Sequence, residues 1–408
     1  MKRFITVVLA VCCTVSLLAA PPAEIEVVCV DEQATGYGTF QSHNQKVLAN
    51  GGGIFMTHLR TRNEPFTAQQ WRLSRSSDGG RTFATVHEAT SATHTPAIAT
   101  DEHDNVYLIR SDFADGNAYL HTFSAAGGYR AGRVTPIPRG SAQKFAICYD
   151  RERQQLYHAS YGRFDVIGLD GAIRSSLQLF QNGPNAEMQY PSLCLDPAGI
   201  LHLAWTTVAH GRYLYWSIHF MQSRDGGATW RNADGTVLTP PIVADDTGPG
   251  QRVSLDDEFE VHTWLSNFLV REGKGHFLYL ARTDPPRQHY VRYDLLTGER
   301  ELDLSPRLKG DTIELSGLDG FFAMSPSTLY CAGHTTDGRV GCLASKDNGG
   351  TWTDHAVSRK VEGLYAVGGC PRVTAEGFVI GSFTEALPSS TDATSTAKVH
   401  FFRIPGAP

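Results

Sequence analysis

The stretches Ser76-Ser77-Asp78-Gly79-Gly80-Arg81-Thr82-Phe83, Ser223-Arg224-Asp225-Gly226-Gly227-Ala228-Thr229-Trp230 and Ser345-Lys346-Asp347-Asn348-Gly349-Gly350-Thr351-Trp352 share one template, S-x-D-x-G-x-T followed by Trp or Phe. Each part of it has a local physical task. The Asp carboxylate and Ser hydroxyl can satisfy backbone groups in a tight turn. The glycines allow positive φ. The terminal aromatic is suited to burial between neighbouring sheets. Ser76, Asp78, Gly80 and Phe83 are therefore expected to be folding elements, not catalysts. The same holds for Ser223, Asp225, Gly227 and Trp230, and for Ser345, Asp347, Gly349 and Trp352. Self-similarity on this scale points to a repeat architecture.

Around the repeats the chain reads as short strands, apolar throughout or alternating with period two, separated by turn signals. No long stretch shows a 3.6-residue apolar period. Units of the form "apolar strand, D-x-x-G turn, apolar strand" recur. Their first strands are expected to begin near Lys46, Thr95, Lys144, Tyr190, Trp264, Gly320 and Tyr365, at intervals of about 50, 50, 45, 75, 55 and 45 residues. That is the size of a four-stranded propeller blade. The expected fold is an all-β propeller of four-stranded antiparallel blades. Seven units favour seven blades over six. The long interval holds an insertion, Thr239 to His262, and Glu24–Val30 reads as a strand that completes the last blade. Closing the ring leaves no long exposed edge.

With these repeats and this rhythm the chain resembles the Asp-box, or BNR-repeat, proteins of the sialidase-like β-propeller superfamily. Within it the rhythm is most similar to exported BNR-repeat and ulvan-lyase-like proteins. The resemblance implies that each box joins the third and fourth strands of a blade, on the face away from the active site. Tyr190-Pro191 resembles the Tyr-Pro opening of the blade that carries the catalytic Tyr in BNR-type lyases. In those proteins the next strand ends in an aromatic followed by an Arg that neutralises the uronate carboxylate. Here Trp205 is followed by Thr206 and Thr207, which puts uronate lyase activity in doubt, and Arg212 is the nearest substitute. A sialidase would need three Arg, a Tyr–Glu nucleophile pair and an Asp acid/base, with an F/Y-R-I-P string on the first blade. Phe402-Arg403-Ile404-Pro405 has that string at the far C terminus, where it reads as a closing strand.

The 408 residues, 41% hydrophobic and 19% charged with 40 glycines, exclude a disordered, collagenous or polytopic membrane protein. Lys2 and Arg3 followed by the uncharged run Phe4–Ala20 read as a secretory signal peptide, which predicts a secreted or periplasmic protein. Residues 21–408 then form one propeller domain with no membrane span. Removing residues 1–20 deletes two basic residues and no acidic ones, taking the formal charge from −6 to −8. With no basic stripe, nucleic acid is not an expected partner. Six cysteines remain. Cys331 and Cys342 flank a turn, where a hairpin disulfide and buried free thiols both fit.

In a propeller the ligand groups sit at one end of the innermost strands and on the loops joining blades. Tyr190, His94, His210 and His262 are the candidate catalysts, because Tyr and His can supply the acid and base of a lyase. His43, Lys144, Arg212, Tyr213, Trp264, Asn267, Arg287 and Tyr365 are the candidate substrate-binding residues. Asn44, Lys46, Gln189 and Asp319 share those positions, and His43 with His58 forms a second candidate pair. Tyr213, Tyr215, Trp216 and Trp264 would offer sugar-stacking faces if exposed. In the insertion, Asp245, Asp246, Asp256, Asp257, Glu258 and Glu260 could bind Ca²⁺ or form a solvated acidic loop; no other cofactor is indicated. The expected function is a carbohydrate-active propeller working on a polysaccharide or glycan by lyase-like or glycosidase chemistry. The alternative is a non-catalytic glycan- or protein-binding propeller, since a fold alone does not fix function.

Overall fold

Alternate residues of a single strand serve two different cores. In Gly53–Arg60, Phe55 and Leu59 join Ile98, Val106 and Leu108, whereas Ile54 and Met56 join Ile380, Val399 and Phe401. In Leu329–Thr335, Leu329 and Cys331 face Leu278 and Tyr290, while Tyr330 and Ala332 face Val367 and Phe402. Side chains alternate faces along a strand. A sheet covered on both sides must therefore be apolar at every position, which explains the unbroken apolar runs of the sequence. Seven such buried clusters fill the seven interfaces between successive sheets.

The computed structural model describes residues 21–60, 69–112, 114–138, 144–255, 258, 260–284, 287–301, 308–387 and 396–406, so the N-terminal segment 1–20 lies outside the described residues. The sheets are the blades of a seven-bladed propeller with antiparallel, four-stranded design. Their innermost strands are Val47–Asn50, Ala97–Thr100, Phe145–Asp150, Ala186–Leu195, Thr263–Arg271, Leu315–Met324 and Leu364–Gly369. Each begins within five residues of its expected start, the largest offset being in blade six, whose strand starts at Leu315 rather than Gly320. Blade five shows three strands among the described residues.

The chain ends close the ring. Glu26–Ala34 is the outermost strand of blade seven, antiparallel to Ala397–Pro405. Ala23–Glu24 pairs in parallel with Thr353–Val357 of blade six. The Phe402-Arg403-Ile404-Pro405 string lies within that closing sheet, where Arg403 donates to the Gly79 carbonyl of the first repeat.

The three repeats share one hydrogen-bond plan. In each, the Ser Oγ donates to the Asp carboxylate (Ser76–Asp78 2.7 Å, Ser223–Asp225 2.8 Å, Ser345–Asp347 2.8 Å) and accepts an amide from the second glycine position at 2.8 Å. The Thr amide and hydroxyl both donate to the same Asp. These bonds hold the Asp78, Asp225 and Asp347 carboxyls below the usual carboxylate range; burial opposes them in Asp225 and Asp347. Gly80, Gly227 and Gly349 adopt φ of 89°, 92° and 83°. Each lies against an aromatic on the third strand of the preceding blade. A Cβ would come within 2.3 Å of Phe401, 2.2 Å of Phe164 and 1.8 Å of Tyr290. Phe83, Trp230 and Trp352 pack on those same three rings at 5.1, 5.2 and 5.6 Å. Every repeat thus grips one aromatic of the preceding blade.

The insertion is stapled to the ring. Ile242–Val243 pairs with Phe180–Gln181, and Gln251–Arg252 pairs with the third strand of blade four. Asp245 accepts amides from Asn185, Ala186 and Thr247 and the Thr247 hydroxyl, so its oxygens are committed to chain folding. Among the described residues no three His, Cys, Asp or Glu side chains gather as a metal site, and Asp256 and Asp257 lie outside those residues. Cys331 and Cys342 are buried free thiols, which resolves the two readings left by their spacing. No helix of the described residues is long and apolar enough to cross a membrane.

Two outcomes follow for stability. Gly227→Ala must place a Cβ in the Phe164 ring at a left-handed backbone position, and should cost at least about 2 kcal/mol in chemical unfolding. Burial lowers the imidazole pKa values of His121 and His276 to about 3 and of His219 to about 4. The unfolded chain binds these protons near pH 6.5 and the folded chain does not, so stability should fall as pH drops below about 6.5. Urea midpoints measured between pH 7 and pH 5 check this.

Candidate functional site

First strands begin at one end of the ring and the repeats turn at the other. At the first-strand end the ladder is repeatedly broken. Register shifts fall at Gln189/Ser192, Leu265/Asn267, Leu315/Gly320 and Tyr365/Gly368, in the inner strands of blades four to seven. Bulges re-aim side chains. Tyr190 and Ala366 sit inside two of them, with φ of 46° and 55°, and Asp319 sits in a third. Left-handed backbone at non-glycine residues is strain that surrounding structure must hold.

The floor is a loop. After the closing strand the chain crosses the axis through Thr35–Lys46. Thr39 bonds Thr384 and the Ala366 carbonyl of blade seven, Gly38 accepts from Leu59 of blade one, and Asn44 Nδ2 donates to the Phe145 carbonyl of blade three at 2.6 Å. Gln41, at φ 69°, gives its carbonyl to Lys46 Nζ, which also donates to the Asn44 carbonyl at 2.9 Å. Lys46 is 3% exposed, and burial lowers its pKa to about 7.

Two adjoining depressions, of about 220 and 550 Å³, open above this loop. They share a wall of Tyr37, Phe40, Tyr190, Tyr213 and Tyr215. Phe40 stacks on Tyr365 with centroids at 6.0 Å, and Tyr190 meets His43 edge-on at 5.4 Å. The Tyr190 hydroxyl lies 2.8 Å from that of Tyr215, which lies 3.4 Å from that of Tyr213. This chain of phenols ends at the surface, because Tyr213 is 78% exposed. Burial raises the Tyr190 and Tyr215 pKa values, so both phenols stay protonated at neutral pH.

The larger depression holds a buried cation. Lys144 Nζ donates to His94 Nε2 at 3.3 Å and sits 4.4 Å from the Tyr190 ring centre. Burial lowers its pKa to about 8, and no carboxylate pairs with it among the described residues. Burial first, then Lys144, keeps His94 neutral well below its usual range. His43 is neutral for the same leading reason, with Lys46 and Lys144 adding to it. Its Nε2 has no hydrogen-bond partner among the described residues. On the other side, His262 Nδ1 accepts the Tyr215 amide at 3.2 Å, and Arg282 lies 5.0 Å over Trp264. Asp319 bonds the Ala366 amide at 2.7 Å and the Ser42 hydroxyl; burial raises its pKa to about 6.

Of the four candidate catalysts, Tyr190 therefore lines both depressions, His94 the larger and His262 the smaller. The structure also gathers His43, Lys144, Arg212, Tyr213, Trp264 and Tyr365 on the linings. His210 is exposed, donates to the Gly183 carbonyl at 2.8 Å, and lines neither depression. Asn267 accepts the Phe322 amide across a blade interface, and Arg287 lies 3.8 Å from the buried Glu258 carboxylate. His58 pairs with Asp31 at 3.1 Å inside the ring wall, apart from His43. Arg212 is paired with Glu260 at 3.0 Å. Sequence reasoning did not single out Tyr37, Phe40, Tyr161, Glu187 and Arg282. Tyr37 and Phe40 carried one signal, as aromatics in the segment between the closing strand and blade one.

At the sequence level no protein-family profile and no curated relative matches the chain. Among solved structures, a PL25 ulvan lyase, described as a new family of polysaccharide lyase, is similar at a TM-score of 0.63 and 11% identity, covering 92% of this chain and 95% of that one. A second structure of it is bound to -[GlcA(1-4)Rha3S]-. The polysaccharide lyase Uly1 is similar at a TM-score of 0.58 and 12% identity, over 94% of this chain and 100% of that one. The α-L-arabinofuranosidase Arb93A of Fusarium graminearum follows at 0.50 and 10% identity, over 94% and 98%. At these identities the likeness is one of fold.

Nuclear magnetic resonance of the imidazoles tests the site's electrostatics. His43 and His94 should stay neutral at pH 6. Lys144→Gln removes a positive neighbour and should raise the His94 pKa.

Proposed function

We propose that the protein is an exported, Asp-box carbohydrate-active propeller that cleaves an acidic polysaccharide by β-elimination at the tyrosine-walled cleft. One observation carries the reading. A cation, a neutral imidazole with an unpartnered nitrogen and a protonated phenol meet around Tyr190, each in the charge state that elimination needs at neutral pH. Lys144, steadied by His94, neutralises a uronate carboxylate and so acidifies its C5–H. His43 Nε2 accepts that proton as the C4–O bond breaks and the C4=C5 bond forms. Tyr190 gives its phenol proton to the leaving oxygen. No water is consumed. The likeness of fold to the ulvan lyase, one structure of which is bound to -[GlcA(1-4)Rha3S]-, and to the polysaccharide lyase Uly1 supports this reading.

Hydrolysis by a carboxyl pair fits less well. Of the two carboxyls on the linings, Asp319 and Glu187, Asp319 is already held by the Ala366 amide and the Ser42 hydroxyl. One observation favours a non-catalytic glycan-binding propeller. Thr206 and Thr207 follow Trp205, and Arg212 is tied to Glu260.

Purified protein on a panel of uronate polysaccharides should generate the ultraviolet absorbance of an unsaturated uronate. Tyr190→Phe should lower kcat by about a hundredfold or more with the fold intact. Reducing ends without that absorbance would indicate hydrolysis, and binding without any product would indicate the non-catalytic propeller. The rate should fall as pH rises through about 8, where Lys144 loses its charge. On the acid side it should hold to below pH 6.5, because His43 remains neutral there.

A further inference from the structure

The cleft holds a second cation without an acidic partner among the described residues. Arg282 lines the smaller depression, just beyond the second strand of blade five, and its amide donates to the His262 carbonyl at 2.8 Å. Its guanidinium is held against Trp264 rather than by a carboxylate, and no ion pair engages it among the described residues. Asp319, the one carboxyl on the same lining, is occupied by the Ala366 amide and the Ser42 hydroxyl, with Lys46 as its charged neighbour. A guanidinium held by an aromatic keeps its fork of donors available for carboxylate or sulfate oxygens. Across the shared tyrosine wall, Lys144 marks the other depression in the same way.

We infer that Arg282 is a second anion subsite, so that the ligand is a glycan carrying acidic groups on both sides of the Tyr190–Tyr215 phenol pair. This rests on the reading of the cleft as a glycan site. Cleavage between two occupied anion sites makes the attack internal to a chain. A polymer with one acidic group at its end would fill only one site. The arrangement also reconciles the ligand with the chain's net charge of −6, since the acidity of the whole is reversed locally at the cleft.

Affinity electrophoresis of the wild-type protein in gels containing polygalacturonate, alginate, chondroitin sulfate or neutral arabinan tests the proposal. Wild type should be retarded by at least one acidic polymer, and retardation should weaken with salt. Arg282→Gln should weaken that retardation about tenfold, as expected for loss of one charge-assisted contact, and Arg282→Lys should restore much of it. Retardation by arabinan, if present, should be unchanged in Arg282→Gln. Unchanged binding of acidic polymers by Arg282→Gln, or equal weakening on acidic and neutral polymers, would overturn the subsite while leaving the glycan reading standing. No retardation of wild type by any polymer would overturn both.

Discussion

One contact recurs at three of the seven blade interfaces: an aromatic on the third strand of one blade is gripped by the glycine and aromatic of the next blade's S-x-D-x-G-x-T turn. The turn's own hydrogen bonds fix the glycine at positive φ. The glycine's missing Cβ lets the ring approach, and the Trp or Phe closes over it. One of the grips, Gly80 and Phe83 on Phe401, joins blade one to blade seven, so it also fastens the two ends of the chain. The other interfaces combine apolar alternation with hydrogen bonds between blades, such as those from Asn50 and Gly51 to Asp104 and from the Ala366 amide to Asp319. Burying rings such as Trp71, Trp205 and Trp230 completely supplies about 2 to 3 kcal/mol each before entropy is counted.

A ring held from one end leaves the other free to be irregular. The repeats lie where third strands end, and the bulges lie where first strands begin. There Tyr190, Ala366 and Gln41 take left-handed backbone, and the loop Thr35–Lys46 threads the axis. Strain of this kind survives because neighbouring blades fix both ends of each strand. Its result is a cleft in which Lys46, Lys144, His94 and Tyr190 share one leading cause for their shifted charge behaviour, burial.

Much of the ring was legible from the sequence because its determinants are local. The turns, the spacing of the apolar runs and the closing strand near Glu24 each follow from residues close together in the chain. The site was legible in part. His43, His94, Lys144, Tyr190 and Tyr365 stand at first-strand starts, and blade rhythm alone places those starts at one end. His210 stands in the loop after a second strand, and its direction depends on a hydrogen bond to Gly183 in another segment, which spacing cannot encode. Arg282 and Phe40 were missed for the converse reason. Phe40 enters the cleft through a loop whose path is set by contacts with other blades, and Arg282 stands just past a second strand, where its amide bonds the His262 carbonyl. The disagreement between the missing Arg after Trp205 and the buried Lys144 has the same origin, because a charge can reach one point in space from a different blade.

On the reading proposed above, ligand charge is met at the tyrosine wall between Lys144 and Arg282. A crystal structure of the protein soaked with an acidic oligosaccharide tests it most directly. The account predicts sugar rings along Tyr213, Tyr215 and Tyr190 with an acidic group within hydrogen-bond distance of Lys144 Nζ. An oligosaccharide bound elsewhere on the ring, with the tyrosine-walled cleft empty, would contradict it.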